Sequence, residues 1–112
     1  MSAIGFVPSA GAGARIATGS YVGTGTFGSS SPNILNLGFT PKLIMIAPDY
    51  VDSVQSVPIL IWISGMTKTF SETDYSNVIT ILSSESTFSW YSTADSTQLN
   101  RTGKVYHYIA IG

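Results

Sequence analysis

The apolar residues of this chain come in short runs rich in β-branched and aromatic side chains, and nowhere do they recur at i, i+3, i+4 and i+7 over a dozen residues. That pattern excludes amphipathic helices of ordinary length and leaves extended structure. Some runs alternate. Leu35, Leu37 and Phe39 are separated by Asn36 and Gly38, and Val105, His107, Ile109 and Ile111 by Tyr106, Tyr108 and Ala110. Others are continuous, Leu43-Ile44-Met45-Ile46-Ala47 and Ile59-Leu60-Ile61-Trp62-Ile63, as expected of strands covered on both faces.

Turn residues punctuate these runs at Ser29–Asn33, Pro48-Asp49, Ser64-Gly65 and Ser83–Ser86, and a long polar loop spans Ser92–Gly103. Further strands are predicted over Arg15–Thr24, around Thr67–Phe70, and over Val78–Leu82 and Thr87–Tyr91. The glycines of the first suit an edge position, and Pro58 belongs at the start of its strand. The whole reads as an all-β chain, an antiparallel β-sandwich of about six to eight short strands. Residues 1–14, with Pro8-Ser9-Ala10-Gly11 and no apolar period, are expected to form a flexible arm, and 15–112 a single domain. In the terminal strand the Val105/His107/Ile109/Ile111 face is expected to pack inside. Tyr106 and Tyr108 are expected at a subunit boundary or a wet edge.

Composition narrows the function. Charged residues make up 10% of the 112, well below the ~25% of an ordinary domain, and five Lys/Arg stand against six Asp/Glu. Such a chain has no basic footprint for nucleic acid or anionic lipid. The absence of cysteine removes disulfides and thiolate chemistry. No apolar run approaches the ~20 residues of a membrane helix, so no membrane insertion is expected, and Met1–Ala14 lacks the regions of a signal peptide.

Gly23-Thr24-Gly25-Thr26-Phe27-Gly28 matches the dinucleotide fingerprint G-x-G-x-x-G by letter, but Ser29-Ser30-Ser31-Pro32-Asn33 follows where a helix would have to begin. These glycines are read as edge-strand and turn positions. His107 is the single histidine, with no cysteine, second histidine or neighbouring carboxylate in sequence, and is read as a packed or partly exposed strand residue. Asp49/Asp52 and Glu72/Asp74 fall short of a calcium loop or a glycosidase pair and are read as solvated charges. No G-x-S-x-G elbow occurs, and Asn100-Arg101-Thr102 is a glycosylation sequon only in a secreted eukaryotic context. A non-enzymatic protein without metal or cofactor is expected.

What remains is recognition chemistry. Trp90 and Tyr91 precede a loop with Asp95, Gln98, Asn100 and Arg101, an aromatic platform beside carboxylate, amide and guanidinium groups. Sugar rings stack an apolar face on aromatics and take directional hydrogen bonds from such partners. Trp90, Tyr91, Asp95, Asn100 and Arg101 are therefore the candidate ligand-binding residues. The alternative is that Trp90 is core and the loop simply soluble.

Two stretches carry a resemblance. Ala17–Gly28 with Pro32-Asn33 and Phe39-Thr40-Pro41-Lys42, and Trp90-Tyr91 through Gln98-Leu99-Asn100, Gly103 and Tyr106–Gly112, together resemble C-terminal modules of bacteriophage tail-fibre and receptor-binding proteins. Such modules are similar to H-type lectins in the Phe-x-Pro lead into an apolar strand and in a final strand with an Ile-Ala-x-Gly pattern. The resemblance implies a β-sandwich that forms a homotrimer, a bacterial surface glycan as ligand near subunit boundaries, and other virion proteins as neighbours. It also implies a location in the virion after synthesis in the host cytoplasm. A purely structural virion component, a decoration or fibre-tip cap without a ligand, is the alternative.

Overall fold

Eight strands form where the β-branched and aromatic runs lie, and no helix occurs among the described residues. The computed structural model describes residues 15–50, 59–70 and 78–112. The expected arm, Asp52, Pro58, Glu72 and Asp74 lie outside them. The strands are β1 (Ile16–Val22), β2 (Asn33–Asn36), β3 (Leu43–Pro48), β4 (Leu60–Ile63), β5 (Lys68–Phe70), β6 (Val78–Ile81), β7 (Thr87–Tyr91) and β8 (Val105–Ile111). They make two antiparallel four-stranded sheets, ordered β1-β8-β3-β4 and β2-β7-β6-β5. The fold is the β-sandwich that the sequence predicts.

β2 starts at Asn33, inside the predicted turn, and stops before Phe39, because Leu37 and Gly38 turn their N–H groups to the Ser86 carbonyl (2.8 and 3.2 Å). β1 is an edge strand, as its glycines suggested. β8 lies in the interior of its sheet between β1 and β3, with Ile109 opposite both Thr18 and Met45.

The orientation of β8 is the reverse of the one expected. Tyr106 and Ala110 are fully buried, and Tyr108 packs against the same core, whereas Val105, His107, Ile109 and Ile111 face outward. Two features of the inner face decide this. Gly19 stands opposite Tyr108, and a Cβ there would come within 2.6 Å of the Tyr108 hydroxyl, so the missing side chain is the space the ring occupies. The Tyr106 hydroxyl accepts the Arg101 N–H (3.1 Å) and lies 3.5 Å from that of Tyr50. A tyrosine is readily buried when its polar tip finds partners.

A file of aromatic rings runs through the core. Trp62 meets Phe88 at 5.0 Å between centroids, Phe88 meets Trp90 at 5.5 Å, and Trp90 meets Tyr21 at 6.3 Å. Tyr21 stacks on Tyr106 at 5.2 Å, and Tyr106 meets the Tyr50 edge at 6.0 Å. The file crosses between the sheets twice, from Trp62 to Phe88 and from Trp90 to Tyr21, so the aromatics join the two layers. Ile44, Ile46, Leu60 and Ile79 fill the space around it with no exposure.

Candidate functional site

The sheets part along one side, between edge strands β1 and β2, and leave a cleft of about 250 Å3. Its walls come from Tyr21 and Val22 of β1 and from Asn33, Ile34 and Leu35 of β2. Thr24, Thr26 and Asn100 stand at the rim and Trp90 at the floor.

Two loops build this rim. The glycine-rich segment after β1 is clamped against residues 98–104. The Gly23 N–H donates to the Lys104 carbonyl (2.8 Å), Gly103 N–H to the Gly23 carbonyl (3.0 Å), and Gly25 N–H to the Asn100 carbonyl (2.7 Å). A Cβ on Gly23 would run into the Asn100–Arg101 backbone, so this glycine is where the two loops touch. The letter match to a nucleotide fingerprint is thus a backbone crossing, and the next element is a strand.

The loop amides are used inside the protein. Asn100, 5% exposed, accepts the Thr24 N–H at Oδ1 (3.0 Å) and donates from Nδ2 to Thr24 Oγ1 and the Thr26 carbonyl (both 2.9 Å). Gln98 is fully buried with four partners. Its Oε1 accepts the N–H groups of Gly28 (3.0 Å) and Ser92 (2.9 Å), and its Nε2 donates to the Ser31 carbonyl (2.9 Å) and Asn33 Oδ1 (3.0 Å). Trp90 Nε1–H donates to the Gln98 carbonyl (2.8 Å) and the Tyr21 hydroxyl to the Leu99 carbonyl (2.9 Å). Leu99 takes a left-handed φ of 59°, which lets adjacent carbonyls serve different neighbours. Burial pushes the Tyr21 phenol far above its ordinary pKa, against a smaller opposing effect of its hydrogen bond with Asn33, so it stays a neutral hydroxyl.

No known protein family, curated protein or solved structure matches this chain. Its site is therefore read from its own geometry.

Trp90 and Asn100 line the cleft together, but Trp90 has no exposure, which is the core position of the alternative reading. Tyr91, half-buried, lies on the opposite side of β7 from buried Phe88 and Trp90. Asp95 belongs to the turn, where its carbonyl accepts the Asn100 N–H (2.8 Å). Arg101 projects to the end of the sandwich, its guanidinium 5.8 Å from the centre of the Tyr50 ring, with the Lys104 ammonium 5.2 Å from the same ring. The five candidates thus divide among cleft, sheet face, turn and sandwich end. Tyr21, Thr24, Thr26 and Asn33 complete the cleft and were not singled out in the sequence. The polar loop signalled a network, and only the pairing of segments some seventy residues apart shows its partners.

His107 does have a carboxylate beside it. Asp49 Oδ2 lies 3.0 Å from its Nε2, with the side chains 59% (His107) and 65% (Asp49) exposed. The β3–β8 register sets Ala47 opposite His107 and so brings Asp49, two residues on, to the imidazole. Ser20 faces His107 from β1, giving the order serine, histidine, aspartate across the sheet. A nucleophile also needs water excluded and donors at the oxyanion position, and a row so exposed on an open sheet face supplies neither.

Proposed function

We propose that this chain is a non-catalytic phage-type virion module that assembles as a homotrimer and binds a neutral bacterial surface glycan in the cleft between β1 and β2. One observation carries the ligand part: the cleft combines aromatic and aliphatic walls with hydroxyl and amide groups, and among the described residues no ionised side chain lines it. A sugar ring needs an apolar surface and directional hydrogen bonds, whereas a phosphate or carboxylate ligand would need a cation. The resemblance to tail-fibre and receptor-binding modules supplies the biological setting, with other virion proteins as neighbours.

The purely structural reading has its own support, because Asn100, Gln98 and Trp90 are committed to internal bonds. Thr24 and Thr26 separate the two readings. Both are exposed at the rim, and beyond their mutual hydrogen bond and those accepted from Asn100 Nδ2 the pair keeps one O–H and one lone pair for a ligand. Titration calorimetry against host cell-wall polysaccharide, with a glycan array in parallel, is the test. Binding weakened about tenfold in Thr26→Val, the loss of roughly one hydrogen bond, supports recognition. Silence from a folded, assembled wild type across array and polysaccharide removes the glycan and leaves the structural component.

A further inference from the structure

The outer face of the β1-β8-β3-β4 sheet is aliphatic, and among the described residues nothing covers it. Its first row across the four strands is Ile16, Ile111, Leu43 and Ile63, set by the pairing register. The next is Thr18, Ile109, Met45 and Ile61. Exposure reaches 64% at Ile16 and 55% at Ile63, and Met45 and Ile61 at the centre are 42% and 45% exposed. Among the outward positions of these four strands none is Asp, Glu, Lys or Arg, and His107 at one end is the single titratable group. Between Met45, Ile59, His107 and Ile109 the face dips into a depression of about 290 Å3.

We infer that this face is the self-association surface of the protein, and that its occupant is the same face, or its rim, on a second copy of the chain. The inference rests on the homo-oligomer part of the reading above and moves the contact away from Tyr106 and Tyr108, which the fold buries. Area supports it. Four strands about 4.8 Å apart, up to seven residues long at about 3.3 Å each, give a footprint of roughly 20 by 20 Å. Side chains standing on that footprint raise the accessible area towards the roughly 800 Å2 that each partner contributes to a standard interface. A patch of this kind lies at or beyond the limit that isolated monomers tolerate.

Charge selects the partner. Apart from Asp49 beside His107 at one end, the face gives a partner with a charged surface nothing to pair with and would strip its water without return. A membrane-binding face carries lysine, arginine and tryptophan around its apolar centre, and this one does not. A second copy presents equally flat β-branched rows, which interdigitate as two sheets do in a sandwich. The arrangement also accounts for the continuous apolar runs of β3 and β4. Their inner residues face this chain's core, and their outer residues await a neighbour's.

Sedimentation of the full chain at micromolar concentration tests this. The wild type is expected to sediment as an oligomer. Met45→Lys and Ile109→Lys, which put charge at the centre of the face, are expected to weaken association more than about a hundredfold. Circular dichroism and thermal melting check their fold. Thr18→Arg, on an edge strand and in the same row, gives a gentler variant should the central two not fold. A monomeric wild type overturns both this inference and the homo-oligomer above, whatever else covers the face. Folded variants that stay fully associated overturn the face alone, and polysaccharide binding measured on the same samples reports separately on the cleft.

Discussion

Gln98→Leu is the most informative single change, because it keeps the approximate volume of the side chain and removes four hydrogen bonds. The Ser92 N–H is left buried without its acceptor, which costs about 1–3 kcal/mol. The partners Gly28, Ser31 and Asn33 are partly buried and regain water, so each loses nearer the net value of a hydrogen bond, about 0.5–1 kcal/mol. The sum is roughly 2.5–6 kcal/mol, a large fraction of the ~5–15 kcal/mol that holds a typical domain together. Urea titration followed by tryptophan fluorescence measures it. Trp90 donates to the Gln98 carbonyl, and so reports on the same corner of the core. The midpoint should fall steeply with an unchanged slope. A loss below about 1 kcal/mol would refute the reasoning, since it would mean that water replaces the side chain at all four partners.

Further outcomes follow from other parts of the molecule. Burial holds the Tyr21 and Tyr106 phenols neutral far above their ordinary pKa near 10, so the unfolded chain loses those protons first as pH rises. The stability due to the neutral phenols is complete below about pH 10 and declines above it, by up to about 1.4 kcal/mol per pH unit per tyrosine. Alkaline melts of wild type and Tyr21→Phe should show the smaller slope in the variant. Gly19→Val sets a branched side chain into the ring of Tyr108 and should lower the melting temperature strongly, whereas Ser20→Val, outward on the same strand, should not. Asp49→Asn breaks an exposed pair, and denaturation should register less than about 1 kcal/mol. Deleting Ile109–Gly112 takes the partners of Ile16–Thr18 and Leu43–Met45 from an interior strand, and the product should be insoluble or unfolded.

The strands were legible because β-branched and aromatic runs bounded by turn residues have few other solutions, and β7 spans Thr87–Tyr91 as the sequence indicated. The direction of β8 was not. Both its faces are apolar, and the choice turns on Gly19 and on hydroxyl partners at Arg101 and Tyr50, which only the pairing of distant strands brings near. The site fared similarly. Polar loop residues look alike whether they face water or lace the chain together, so Gln98 and Asn100 suggested a ligand where the fold uses them itself. The carboxylate beside His107 was hidden for the same reason, since it depends on strand register.

The pairing of β1 with β8 also sets an order of events. Ile16 finds Ile111 opposite it, about ninety residues later in the chain, and the glycine loop after β1 waits for Asn100 and Lys104 to hold it. A ribosome adding about 5–20 residues per second needs several seconds to reach that point. For that interval the earliest strand of the sheet has no neighbour, and Ile44, Ile46 and Leu60 have only half their cover. The backbone partner of β1 is therefore the last strand of the sheet to be made. The long-lived hazard during synthesis is an open sheet edge in search of any strand at all.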